Sequence, residues 1–119
     1  MRGEELPTFD LNCFNIYECP VTYTMDIVGG KWKMMIVYLI AHDVNRFGKL
    51  YGLLEGVSKR TLTKQLRDLE EDGIVDRKVY AEVPPRVEYS LTSKGNRLLP
   101  VLKNIYEWGV SEMRIEENR

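Results

Sequence analysis

From Trp32 to Ala41 the chain is apolar at nearly every position, and in 119 residues that pattern predicts a central helix covered by its neighbours. The longest apolar stretch within it, Met34 to Ala41, is far too short to span a membrane. A shorter helix is expected just before it, from Val21 to Val28 after Pro20, with Gly29-Gly30 as the positive-φ stop and the second helix beginning near Lys31. Downstream, Phe47, Leu50, Leu53 and Leu54 recur at helical spacing behind Asn45 as candidate N-cap, and Gly56 supplies a turn. Ser58 then caps a fourth helix that runs to Asp72 and stops at Gly73, with Leu62, Leu66 and Leu69 as its buried stripe. Two amphipathic helices around a turn of about three or four residues have helix-turn-helix spacing.

Beyond Gly73 the period changes. Val75 to Tyr80 and Val87 to Leu91 alternate as strands do, and Ala81-Glu82-Val83-Pro84-Pro85-Arg86 between them puts two prolines, which cannot donate to a ladder, in the connecting tip. Thr92 is the candidate cap of a final helix from about Ser93 to Met113. On that helix Leu98, Leu102, Ile105, Trp108 and Met113 lie near one side, while Leu99, Val101, Tyr106 and Val110 widen the apolar area. One small core cannot cover so wide a face, so Leu99, Tyr106, Trp108 and Val110 are expected at a dimer interface. Residues 1–18 show no sustained periodicity and read as an N-terminal arm before a domain spanning 19–117. The predicted fold is mainly α with a small β-hairpin wing, a winged helix-turn-helix.

Composition adds boundaries to this picture. With 44% hydrophobic and 29% charged residues and no dominant type, the chain is not disordered or of low complexity, and its length suits one domain. Seventeen Lys+Arg against eighteen Asp+Glu give a formal charge of −1 and a pI near 5.9, which taken whole argues against nucleic acid. The distribution reverses that inference. Residues 31–67 hold eight Lys and Arg against two acids, residues 77–97 five against two, and residues 68–76 five acids with no base. The pattern describes one basic face on an otherwise acidic molecule, with modest, strongly salt-dependent non-specific DNA binding.

That face falls on the fourth helix. Arg60, Thr63, Lys64 and Arg67 lie opposite the leucine stripe, with Ser58, Lys59 and Thr61 in the first turn. Cations near the helix start and Glu70-Glu71-Asp72 at its end oppose the helix dipole, a cost that a phosphate backbone at the helix N-terminus would offset. Long cationic side chains with interleaved threonines suit phosphates and base edges in a major groove. Arg77, Lys78 and Arg86 add positive charge to the hairpin, and Arg86, beside Pro84-Pro85 at the tip, is the candidate for a minor groove. Arg46 and Lys49 are candidates to clamp the backbone on the other side. The bland alternative is a solvated helix face.

The stretches CPVTYTMDIVGGKWKMMIVYLI, RFGKLYGLLEGVSKRTLTKQLRDLEEDGIVDR and PPRVEYSLTSKGNRLLPVLKNIYEWG, in this order, resemble the HxlR-type winged helix-turn-helix transcriptional regulators, relatives of the MarR group. The resemblance runs from Cys19 to about Glu112. It implies a homodimeric regulator binding double-stranded DNA, with the fourth helix as recognition helix, the hairpin as wing, and the first and last helices forming the dimer. Two-fold symmetry would then call for a pseudo-palindromic operator with half-sites about one helical turn, or a multiple, apart. It also implies a regulatory thiol at Cys19, responsive to an oxidant or small electrophile, the alternative being a small buried residue with no chemistry. The dipole of the helix that Cys19 precedes favours a thiolate, whereas Glu18 and Asp26 oppose it. Val21 occupies the place where aldehyde-responsive relatives carry a lysine, which speaks against that route. Cys13 is either a resolving partner or unrelated.

Two cysteines without C-x-x-C spacing, and an acidic start with no apolar segment of a signal peptide, point to a reducing, cytoplasmic setting. His42, the single histidine, reads as the solvated end of the second helix, and no metal site or cofactor is expected. Tyr23, Trp32, Tyr38, Tyr106 and Trp108 are candidates to line a pocket for an aromatic ligand, as in MarR relatives, or else act as core and interface anchors. Two other functions compete: a winged-helix protein-interaction module with weak DNA binding, and a thiol enzyme. The enzyme is disfavoured, since no catalytic base lies near either cysteine in sequence.

Overall fold

The structure, a computed structural model, describes residues 19–118. The arm expected over residues 1–18, with Cys13, lies outside the described residues. The element order is α1 (Pro20–Val28), α2 (Lys33–Ala41), α3 (Phe47–Leu53), α4 (Lys59–Glu71), β1 (Val75–Tyr80), β2 (Arg86–Leu91), α5 (Ser93–Arg97) and α6 (Leu99–Glu117). Helices with one antiparallel hairpin match the mainly α winged helix-turn-helix prediction.

Hydrophobic burial explains most of these elements. Ile36, Val37 and Ile40 of α2 meet Leu50 and Leu54 from α3 and its C-cap, Leu62, Leu66 and Leu69 of α4, and Ile74 and Val75 entering β1. Each such side chain contributes roughly 1.5–3 kcal/mol on leaving water. The neighbours do not cover all of α2, because Met35 and Tyr38 remain exposed. The face they occupy turns toward α6, which buries no residue of its own.

Several boundaries depart from the sequence expectations. Helix α1 starts at Pro20, whose missing N–H is harmless at N1, and Cys19 is the N-cap residue. Of its two glycines only Gly30 has positive φ, +93°. Gly29 is extended and serves by its size, since a Cβ there would lie 2.4 Å from the Met25 carbonyl oxygen. Helix α2 begins at Lys33, two residues later than the hydrophobic pattern indicates. Arg46, not Asn45, occupies the N-cap of α3, with no side-chain cap bond. Asn45 instead uses its backbone carbonyl, which accepts the Tyr89 N–H at 2.9 Å and ties the start of α3 to the wing. Leu53 is exposed rather than core.

The hairpin pairs Val75 with Leu91 and Tyr80 with Arg86. Its expected alternation is absent from β1, where Val75 alone is buried, because the outer half projects beyond the helices. The single final helix predicted from Ser93 is two helices. Pro100 has no N–H to continue the first, so α5 closes at Leu98, and α6 runs on to Glu117, past the predicted Met113. Thr92 caps α5 by accepting the Gly95 N–H at 3.0 Å, while its hydroxyl donates to the Gly73 carbonyl. No helix among the described residues is long and apolar enough to cross a membrane.

Candidate nucleic-acid interface

The face of α4 is set by its opposite side. Gly56, at φ +93°, turns the chain after α3, Val57 is buried, and the Ser58 hydroxyl accepts the Thr61 N–H at 3.0 Å to start α4. With Leu62, Leu66 and Leu69 fixed in the core, Lys59, Arg60, Thr63, Lys64 and Arg67 must face solvent. Together with Asp68 they line one surface concavity. Thr63 donates to the Lys59 carbonyl at 2.8 Å, and Lys59 Nζ stands 5.4 Å over the Tyr51 ring. Lys64 Nζ donates to Asp68 Oδ2 at 2.9 Å, and the largely covered Lys33 approaches the same oxygen from α2 at 3.9 Å. Among the described residues Arg60 and Arg67 have no carboxylate within ion-pair distance.

The wing adjoins this face. Thr63 and Arg67 also line a second, polar concavity with Phe47, Glu70, Arg77 and Tyr89, so Arg77 of β1 is brought beside Arg67 of α4. Lys78, on the other hairpin face, is exposed with its Nζ 4.9 Å from the Tyr80 ring. Arg86 departs from the position the prolines indicate. It is the first residue of β2 and not part of the tip, and its guanidinium stacks 3.9 Å from the Tyr80 ring. Its Nη2 lies 3.0 Å from Glu82 and its Nη1 3.1 Å from Glu88, so the charge is already met within the wing. Arg46, half exposed, is 3.7 Å from the same Glu88, and Lys49 is exposed on α3.

Apolar exposure gathers elsewhere. Ile105, Tyr106, Trp108, Met113 and Ile115 of α6, with Val21, Tyr23 and Met25 of α1, are all at least half exposed, Trp108 to 69%. Leu99 and Val110 differ from Tyr106 and Trp108: both are half-buried, and Leu99 packs on the core. The five aromatics proposed for a ligand pocket do not converge. Tyr38 and Tyr106 stack with centroids 6.4 Å apart and help line an apolar cavity of about 410 Å³ with Met34, Met35, Leu53 and Ile105. Tyr23 sits by Lys94 and Trp32 by Lys31, and neither they nor Trp108 line that cavity. His42 is exposed at the C-cap of α2, 4.5 Å from Tyr38. Cys19 is buried.

The carboxylates on this interface escaped the sequence reading. Asp68 was accessible to it, standing four residues after Lys64 on a helix. Glu88 was accessible too, as the same-face neighbour of Arg86 two residues away on a strand, whereas its contact with Arg46 and the Glu82–Arg86 pair follow from tertiary packing and the fold of the tip.

Residues 27–117 match the family described as HxlR-like helix-turn-helix. The chain belongs to this family. As expected of an HxlR-like chain, its relatives are named as transcriptional regulators. An HTH-type transcriptional regulator of Halalkalibacterium halodurans is 50% identical over 97 residues, covering 81% of this chain and 86% of the relative. Among solved structures, the redox regulator HypR in its reduced form is 44% identical with a TM-score of 0.77, covering 84% of this chain and 99% of that one. HypR in its oxidized form gives 48% identity and 0.74, covering 78% and 96%. The family match begins after Cys19, so it extends over α4 and the wing but not over the thiol.

Proposed function

We propose that this HxlR-like protein is a homodimeric, sequence-specific DNA-binding transcriptional regulator acting in the cytoplasm, without a catalytic role of its own. The observation that carries the reading is the solvent face of α4, where Arg60 and Arg67 flank Thr63 and Lys64 without carboxylate partners among the described residues. In this reading α4 enters the major groove, with Arg60, Thr63, Lys64 and Arg67 at base edges and phosphates and Ser58, Lys59 and Thr61 at the backbone. Arg77 and Lys78 of the wing, and Arg46 and Lys49 of α3, meet flanking phosphates. Arg86 acts first as the brace of the wing, since two carboxylates hold it.

The dimer is supported by α6, a helix of 19 residues with none buried, and by the exposed apolar residues of α1. Leu99, Tyr106, Trp108 and Val110 belong to that interface, with Ile105 and Met113. A duplex selection from random DNA tests the whole reading: the expected result is a pseudo-palindrome with half-sites about one turn, or a multiple, apart. Failure to enrich any sequence, with dimerisation intact, would favour the protein-interaction module.

Regulation through Cys19 is supported by its place at the N-cap of α1, beside the proposed interface, and by the likeness to a redox regulator. Oxidation of a buried thiol there would disturb α1 and, through the dimer, the spacing of the two α4 helices. Operator binding by Cys19→Ser is expected to lose its response to a mild oxidant; an unchanged response excludes the switch. The cavity at Tyr38 and Tyr106 favours a second input, a small aromatic ligand, and its size is in the ordinary range for such sites, about 300–1,000 Å³.

A further inference from the structure

The cations around α4 are of two kinds. Among the described residues Arg60 and Arg67 have no carboxylate partner, whereas Arg46 and Arg86 share one carboxylate oxygen, Glu88 Oε2, at 3.7 and 3.1 Å. Glu82 holds the second amino group of Arg86 at 3.0 Å, and Tyr80 stacks under the guanidinium. Arg46, Glu82, Arg86 and Glu88 thus form a cluster of zero formal charge bridging the start of α3 and the wing. One donor in it is unmatched among the described residues: Arg86 Nε is buried with no hydrogen-bond partner there.

We infer that Glu88 is a specificity-determining residue that withholds Arg46 and Arg86 from DNA of the wrong sequence. The inference rests on the DNA-binding reading above. Non-specific affinity comes from cations that displace counterions from phosphates, whatever the bases. A guanidinium already paired with a carboxylate gains little from a phosphate, because one anion only replaces another. Glu88 therefore subtracts from sequence-independent binding. On the correct sequence, α4 seated in the groove holds the wing and the start of α3 against the backbone, and a fixed phosphate then competes with Glu88 at high local concentration. The net effect is a wider gap between right and wrong DNA, obtained with a repulsive group rather than an added contact. A purely bracing Glu88 predicts the opposite, since loosening the wing would weaken all binding.

The test is a fluorescence anisotropy titration of a mixed-sequence duplex and of the selected operator, across a salt series, with thermal melts alongside. Wild type, Glu88→Gln, Glu82→Gln and Glu88→Gln combined with Arg46→Ala are compared. Glu88→Gln is expected to tighten binding to the mixed-sequence duplex, to steepen its log K against log salt slope by about one, and to change operator binding less. The combined variant is expected to lose most of that gain. Glu82→Gln, at an exposed position, is expected to shift in the same direction by less, and it decides the matter if Glu88→Gln melts early. Mixed-sequence binding that is unchanged or weaker in well-folded Gln variants overturns the inference. Wild type that binds neither duplex at low salt overturns the DNA-binding reading itself, a result distinct from wild-type binding without a gain.

Discussion

Arg46 shows how one side chain divides its time between fold and function. It is the N-cap residue of α3 yet makes no cap bond, leaving its guanidinium half exposed and lightly held by Glu88 at 3.7 Å. Replacing it costs the fold little, so on the proposed reading its effect belongs to DNA. With Glu88 holding it back from mixed sequence, Arg46→Ala is expected to weaken the selected duplex and flatten its salt slope by about one while changing mixed-sequence binding less, measured by titration over a salt series. Equal losses on both duplexes would show that Glu88 does not hold Arg46 back. Ser58 is the reverse case. Its hydroxyl accepts the Thr61 N–H and also donates to the Thr61 hydroxyl at 2.9 Å, so it fixes where α4 begins. Ser58→Ala is expected to lower stability by about 1 kcal/mol in urea unfolding.

Among the elements, α5 and α6 carry the clearest division between closed and open packing. Gly95 in α5 faces the Ile74 carbonyl so closely that an added Cβ would lie 2.3 Å from its oxygen. Gly95→Ala is expected to destabilise the protein by about 1–3 kcal/mol, because α5 and the start of β1 must separate; an unchanged melting temperature would contradict that packing. Helix α6 is open. Ile105 and Trp108 are half or more exposed, so Ile105→Ser with Trp108→Ala is expected to leave the fold intact while weakening self-association by about 2 kcal/mol or more, read by sedimentation equilibrium. The helix-turn-helix was legible because each of its signals is local: the Ser58 cap, the leucine stripe, and glycines at positive φ at 56 and 73. The hairpin was legible from Pro84-Pro85. The break before α6 was marked by Pro100 but masked by the continuous apolar pattern across it. The neutral cluster at Glu88 was legible only in part, since Arg86 and Glu88 stand two apart on one strand face whereas Arg46 reaches Glu88 only through tertiary packing.

At the scale of the molecule, shape and charge agree. Helix α6, 19 residues long with none buried, gives the described residues an extended apolar edge that a second copy would cover. A formal charge of −1 is spread so that the basic residues gather around α4 and the wing, and even there Asp68, Glu82 and Glu88 cancel part of the field. On the proposed reading such a molecule would depend on correct seating of α4 rather than on bulk attraction for its hold on DNA. The measurement that tests this most directly is the affinity of Arg60→Ala, with Lys64→Ala beside it, for the selected duplex and for mixed-sequence DNA at moderate salt. The account predicts a loss of about 1–3 kcal/mol on the selected duplex, larger for Arg60 because Lys64 is already paired with Asp68, and a smaller loss on mixed sequence. Affinity untouched by either change would contradict the assignment of α4 as the element that reads DNA.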